Sequence, residues 1–117
     1  MDRRTAVIET LYLAAITVAE LRFGVALLPA GKRRDRLNES LEKQVLPLFA
    51  GRVLPFDMLA SQPYATLMAK ARAAGLAIGT VDGYIAATAA ANGMMVATRD
   101  TSPFEAASVS VINPWAD

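Results

Sequence analysis

The chain has no cysteine and no histidine. The first absence excludes disulfides, thiol nucleophiles and iron–sulfur clusters. The second removes the imidazole general base and the Ser–His triad, and with both gone the usual zinc sites go too. Long apolar runs are also missing. The longest uncharged stretches are Thr10–Ala19, too short for a bilayer, and Gly83–Thr98, broken at Asn92-Gly93. No positively charged start leads into an apolar signal core, so the sequence predicts a soluble cytoplasmic protein with no membrane partner. Charge of one sign does not dominate either: 12 Lys and Arg face 11 Asp and Glu, a net charge of +1. That balance selects no partner. Its distribution is less even, because "GKRRDR" (31–36) gathers Lys32, Arg33, Arg34 and Arg36.

Carboxylates, Lys, Tyr, Ser and Thr remain for chemistry. An enzyme built from them is most simply a set of carboxylates holding a hard cation such as Mg²⁺ or Mn²⁺. The competing reading is a binding or structural module. With 117 residues, the expectation is a single domain over 1–117 with one core. The 54% apolar fraction is rich in alanine, which favours close-packed helices.

Apolar runs alternate with helix-period segments. Leu11–Ile16 reads as a buried strand and Val18–Leu28 as a helix, broken by Pro29 and Gly31. Arg33–Phe49 reads as one amphipathic helix with Leu37, Leu41, Val45 and Leu48 along a side, and Pro47 kinks or shortens its end. "RVLPF" is a second strand, Leu59–Ala74 a helix closed by Gly75, and about 81–92 another helix ending at Gly93. "MMVAT" and "SVSVIN" are a third and fourth strand. This alternation predicts an α/β fold, mostly parallel, with helices flanking the sheet.

Ligands in such sheets gather outside the carboxyl ends of the strands. Three acids fall there: Glu20, Asp82 and Asp100. Each also has a structural explanation. "TVAE" fits a capping box with Thr17 as N-cap and Glu20 at the third helical position. Asp82 suits the positive end of a helix starting near Thr80. Asp100 suits a turn before Thr101-Ser102-Pro103. Together they need more, because two carboxylates about 4 Å apart repel by roughly 4 kcal/mol at an effective dielectric near 20. Convergence of the three therefore requires a cation or a proton.

The strings "LYLAAITVAELRFGVALLPAGKRR", "GRVLPFD", "AGLAIGTVDGYIAATAAANG", "VATRDTSPFE" and "VINPW" follow one another over nearly the whole chain. In this order they resemble the PIN-domain ribonucleases of the VapC type, the toxin half of type II toxin–antitoxin pairs, and especially their FitB-like branch. The resemblance implies a PIN-like parallel sheet flanked by helices and an acidic cluster binding Mg²⁺ or Mn²⁺ for cleavage of single-stranded RNA. It implies Glu20 as the acid of the "AEL" motif, Asp82 as the acid opening the "DGYIAA" helix, and Asp100 as the acid of "ATRD", the three serving as metal ligands and catalytic acids. Thr98 is implied as a support. Where many relatives carry a further acid this chain has Pro103, with Glu105 a reserve. Arg22, Lys32, Arg33, Arg34 and Arg99 are candidate contacts to the RNA backbone. The 32–36 cluster also reads as a solvated face, or as a surface facing an antitoxin or a second copy. Tyr84 and Phe104 read as core packing before base stacking. Implied partners are RNA, an antitoxin protein and a second copy of the chain.

The family opens with a strand carrying an Asp in an "LDTN"-like motif, followed by a helix. This sequence opens "MDRRTAVIET" and enters before the family's second strand. The expectation is an N-terminally truncated PIN-like domain with one metal ligand fewer, its sheet edges covered by dimerisation. The two functional expectations are a metal-dependent endoribonuclease toxin and a weakened or inactive module that binds an antitoxin or itself.

Overall fold

The first helix starts without a capping side chain. The computed structural model describes residues 11–97, 101–107 and 111–112, and the chain divides into two compact units, Met1–Leu54 and Pro55–Asp117. In the first unit, strand β1 (Leu13–Ala14) runs straight into helix α1 (Ala15–Ala26). Ala14, in extended conformation, is the N-cap and offers no side-chain acceptor. The expected capping box does not form. Thr17 stands inside the first turn instead of ahead of it, and Glu20 belongs to the second turn. The strand read over Leu11–Ile16 is short for the same reason: Ala15, the best helix former, lets the helix begin two residues before Thr17.

The segment read as one helix over Arg33–Phe49 has three pitches. Helix α2 (Lys32–Ser40) widens into a π turn at Leu41–Val45 and then tightens into a 3₁₀ turn at Leu46–Phe49. Pro47 accounts for the change. It has no amide to donate to the Lys43 carbonyl, and its ring collides with that carbonyl in a regular helix. Strand β2 (Val53–Leu54) follows and pairs in parallel with β1, Leu13 opposite Val53 and Ala14 opposite Leu54. Arg52 secures this ladder from both of its ends. Its carbonyl accepts from the Leu13 amide at 2.9 Å. Its guanidinium donates to the Leu11 carbonyl at 3.0 Å and to the Leu48 carbonyl.

In the second unit, helix α3 (Met58–Ala73) is capped by Asp57, whose Oδ1 accepts from the Ala60 amide at 3.2 Å. Helix α4 (Thr80–Ala91) follows. Both helices end in the same way. Gly75 and Gly93 adopt φ of 73° and 64°, the left-handed conformation that costs a glycine nothing. In α3 the amides of Gly75 and Leu76 return to the carbonyls of Arg72 and Ala71, at 3.0 and 2.9 Å. In α4 those of Gly93 and Met94 return to Ala90 and Ala89, at 3.2 and 2.9 Å. The two glycines named from the sequence as stops are therefore structural stops. Strand β3 (Val96–Ala97), a short helix α5 (Ser102–Ala106) and strand β4 (Val111–Ile112) complete the described residues. β3 and β4 pair in parallel, Val96 opposite Val111. Helix α5 replaces the turn read at Thr101-Ser102-Pro103, because Pro103 in a first turn forfeits only an amide that has no helical partner there.

The core of the second unit joins Leu67 of α3, Ala86, Ala87 and Ala89 of α4, Val96, and Phe104 and Ala107 around α5. Gly83 brings α3 and α4 together. A Cβ at this position would stand 2.8 Å from Met68 Sδ and 3.2 Å from a Tyr64 ring carbon. The hydroxyl of Thr88, buried in α4, donates to the Tyr84 carbonyl at 2.8 Å, so its burial leaves no polar atom unsatisfied.

Two substitutions test this packing by urea denaturation. Gly83→Val presses on the Met68 and Tyr64 side chains and lowers stability by about 1–3 kcal/mol despite the better helix propensity of valine. Asp57→Ala removes the cap of α3 and costs about 1 kcal/mol. Wild-type stability in Gly83→Val would show that the Met68 and Tyr64 side chains yield to the larger residue without cost.

Candidate metal and nucleic-acid site

Asp82 occupies the third position of α4, behind the N-cap Gly79. Its carboxylate is half-buried and turns back over the helix start, where Oδ2 lies 3.9 Å from the Cβ position of Gly79. No other described residue gives it a hydrogen bond or ion pair. The positive end of the helix favours the charge, but the oxygens are left to accept something else. Glu20, on α1 in the first unit, is exposed and likewise has no partner among the described residues. With the capping box gone, nothing within its own helix employs it. Asp100, Arg99 and Thr98 lie outside the described residues. Among the described residues no group of three or more acidic, histidine or cysteine side chains is close enough to hold a metal, and the expected triad includes Asp100. Glu105, the reserve acid, is exposed in the first turn of α5.

The cations divide into two kinds. Lys32, Arg33 and Arg34 form the first turn of α2, the first two exposed and the third half-buried. None pairs with another described residue. Cations at the positive end of a helix oppose its dipole, and this turn has a single acid, Asp35. The result is an uncompensated positive patch. Arg22 differs. Its Nε and Nη2 donate to Oε1 and Oε2 of Glu42 at 2.7 and 3.0 Å, a two-bond fork. These hydrogen bonds hold the Glu42 carboxyl below its ordinary pKa and raise that of Arg22. Arg22, a candidate RNA contact, is thus paired with Glu42 at the protein surface. Glu42 was invisible as its partner, because the two are 20 residues apart and no local spacing links them.

Both aromatic candidates pack. Phe104 is buried in the core. Tyr84 stacks on Tyr64 at 4.9 Å and meets Phe56 at 4.8 Å. No helix among the described residues is long and apolar enough to cross a membrane.

Residues 2–109 match the PIN domain. The chain belongs to the PIN-domain family. This PIN domain is 68% identical over 108 residues to VapC ribonuclease Y4jK of Sinorhizobium fredii, an alignment that covers 92% of this chain and 77% of that protein. It is 55% identical over 111 residues to toxin FitB of Neisseria gonorrhoeae, covering 95% of this chain and 80% of that protein. The solved structure of FitAB bound to an IR36 DNA fragment superposes with a TM-score of 0.88 at 54% identity, over 93% of this chain and 76% of that one. The VapC-type, FitB-like branch read from the motifs is therefore borne out, and with it the α/β PIN-like fold.

The Arg22–Glu42 pair makes the stability of this PIN domain depend on pH in a stated direction. The folded-state pKa of Glu42 is lowered, so the unfolded chain takes up its proton first as pH falls. The stabilisation is present above the ordinary glutamate pKa of about 4.3 and is lost as pH falls through the folded value. Thermal melts of wild type and Glu42→Gln should differ at neutral pH and converge in acid. A separation that stays constant into acid would mean that Glu42 contributes something other than this pair.

Proposed function

We propose that this PIN domain is a divalent-metal-dependent endoribonuclease, the toxin half of a toxin–antitoxin pair acting in the cytoplasm. The match over 2–109 spans both units and supports one PIN-like domain over 1–117. The names of the relatives supply the activity class, one a ribonuclease and another a toxin. The observation that carries the reading is the half-buried Asp82 carboxylate, which α4 presents at its start without a described partner. Glu20, with its capping role removed, supports it.

The donor set fits a hard cation. It consists of carboxylate oxygens, in a chain with no thiol and no imidazole. Glu20, Asp82 and Asp100 would hold Mg²⁺ or Mn²⁺, with Thr98 supporting Asp100. When bound, the cation supplies charge neutralisation at the scissile phosphate and lowers the pKa of water beside it. The chain's own cations do the remainder. Lys32, Arg33 and Arg34 neutralise the RNA backbone, with Arg99 a further contact beside Asp100, each phosphate contact contributing a salt-dependent increment of affinity. Arg22 joins them only when Glu42 gives it up. The partners are the RNA substrate, an antitoxin protein and a second copy of the chain. The apolar side chains left exposed on α1 and at its C-cap, among them Phe23 and Leu27, suit cover by a protein.

Calorimetric titration of Mn²⁺ into wild type and Asp82→Ala tests the reading. The expected result is saturable binding that the substitution abolishes, together with Mn²⁺-dependent cleavage of single-stranded RNA by the wild type alone. Absence of binding in both proteins would overturn it in favour of a PIN module that only binds protein partners.

A further inference from the structure

Helix α3 buries Ala60, Leu67 and Ala71 within its own unit and leaves its opposite face bare. Met58 and Leu59, at its start, are 85% and 76% exposed, the most of any large apolar side chain among the described residues. From Met58 the bare face continues through Gln62, Ala65, Thr66, Ala69 and Ala73, all exposed. These positions recur every three or four residues, the spacing of one side of a helix. No charge interrupts them. Scattered apolar residues on a surface need no explanation. Here two adjacent ones head an uncharged strip roughly 22 Å long.

The other end of the helix is recessed. Met68, Ala69 and Arg72 of α3, with Leu76 and Ile78 from the segment after it, line an open groove of about 430 Å³. Apart from Arg72 its walls are apolar. Charge is divided in the same way. Asp57 stands at the start, one carboxylate oxygen accepting from the Ala60 amide and the other left open. Lys70 and Arg72 stand in the last turn, and neither pairs with a described residue.

A helix with a projection and an acid at one end, and a groove and cations at the other, complements its own reversed copy. Suppose two α3 helices run antiparallel and cross at Ala65 and Thr66. Met58 of one copy then stands opposite Ala73 of the other, beside the groove. Asp57 comes within reach of the other copy's Arg72. An unbranched methionine fits an irregular groove well, and the alanines between the ends let the two backbones approach. Like charges stay apart: along the axis Lys70 lies ~13 Å from its own copy and Arg72 ~20 Å, beyond the ~8 Å screening length of physiological salt. A parallel pair would instead set each cation against itself and align the helix dipoles. Charge therefore selects the antiparallel arrangement, which a two-fold axis generates from one patch.

We infer that α3 is the self-association surface of this PIN domain, two copies pairing through antiparallel α3 helices with Met58 of each seated at the groove beside Arg72 of the other. The inference rests on the reading that the chain pairs with a second copy, and it is independent of the metal site. The matching of both ends of one helix singles out a second copy, because an unrelated partner requires no such match.

The absence of native cysteine makes cross-linking the direct test. Ala65→Cys places a single thiol beside the two-fold axis, where the two Cα atoms fall within the ~7 Å reach of a disulfide. Air oxidation should convert it to a covalent dimer. Met58→Cys mixed with Ala73→Cys should link one to the other and neither to itself. Ala90→Cys, on the exposed side of α4, should stay unlinked. Sedimentation equilibrium should show a wild-type dimer and association at least tenfold weaker in Ala69→Arg, with the circular dichroism spectrum of that variant unchanged. A dimer that survives Ala69→Arg, with Ala65→Cys unlinked, would overturn α3 as the surface. The second copy would then be held elsewhere, and this face would be left to another protein such as the antitoxin. Linkage of Met58→Cys to itself would overturn the antiparallel register. A wild type that is monomeric at every concentration would overturn the second copy, and this inference with it.

Discussion

The distance between α3 and α4 is set by small side chains, and the second unit is organised around it. A methyl group at Gly83 would press on Met68 Sδ and the Tyr64 ring, and Ala86 and Ala87 are wholly buried. Helices packed through small residues gain dispersion contacts, and a larger residue there costs stability. The aromatic group of Phe56, Tyr64 and Tyr84 fills the space beside the contact, Tyr64 lying edge-on to Phe56 at 5.8 Å. Asp82 immediately precedes Gly83, so the packing that fixes one residue fixes the start of the helix that presents the other. In this way an apolar constraint governs where a carboxylate stands.

The first unit relies on a different physics. Its buried apolar side chains are few, Val18 and Leu41 among the described residues. Two arginine forks take over part of the task. Arg52 binds the carbonyls of Leu11 and Leu48 around the β1–β2 ladder, and Arg22 binds Glu42 across from α1. Guanidinium groups suit this use because their donors are planar, rigid and always charged. Such contacts are directional where hydrophobic burial is not. Within this unit, directional hydrogen bonds supplement the sparse burial among the described residues.

Much of this was legible in the residues. The order of strands and helices, the parallel pairing and the stops at Gly75 and Gly93 follow from periodicity and from the one residue type that takes positive φ without cost. Asp82 was found at the start of its helix for the same reason. Other features were not legible. The motif "TVAE" satisfies the capping pattern in letters, yet the alanines before it start the helix early, and propensity outweighs the cap. Pro47 announced a disturbance without revealing that α2 would first widen and then tighten. Helix α5 was read as a turn because Ser and Pro favour both. The pairing of Arg22 with Glu42 was not legible, because the partner is brought to it by the chain reversal after α1, which no local pattern encodes. Contacts between residues distant in sequence are what single-sequence reading lacks.

The proposed function has Glu20, Asp82 and Asp100 share one divalent cation. Anomalous X-ray scattering from crystals soaked in Mn²⁺ tests it most directly. The expected result is a single strong peak with oxygens of all three carboxylates about 2.1 Å from it, the distance typical of small hard cations. A peak held by other residues, or three carboxylates with no metal among them, would overturn the shared cation.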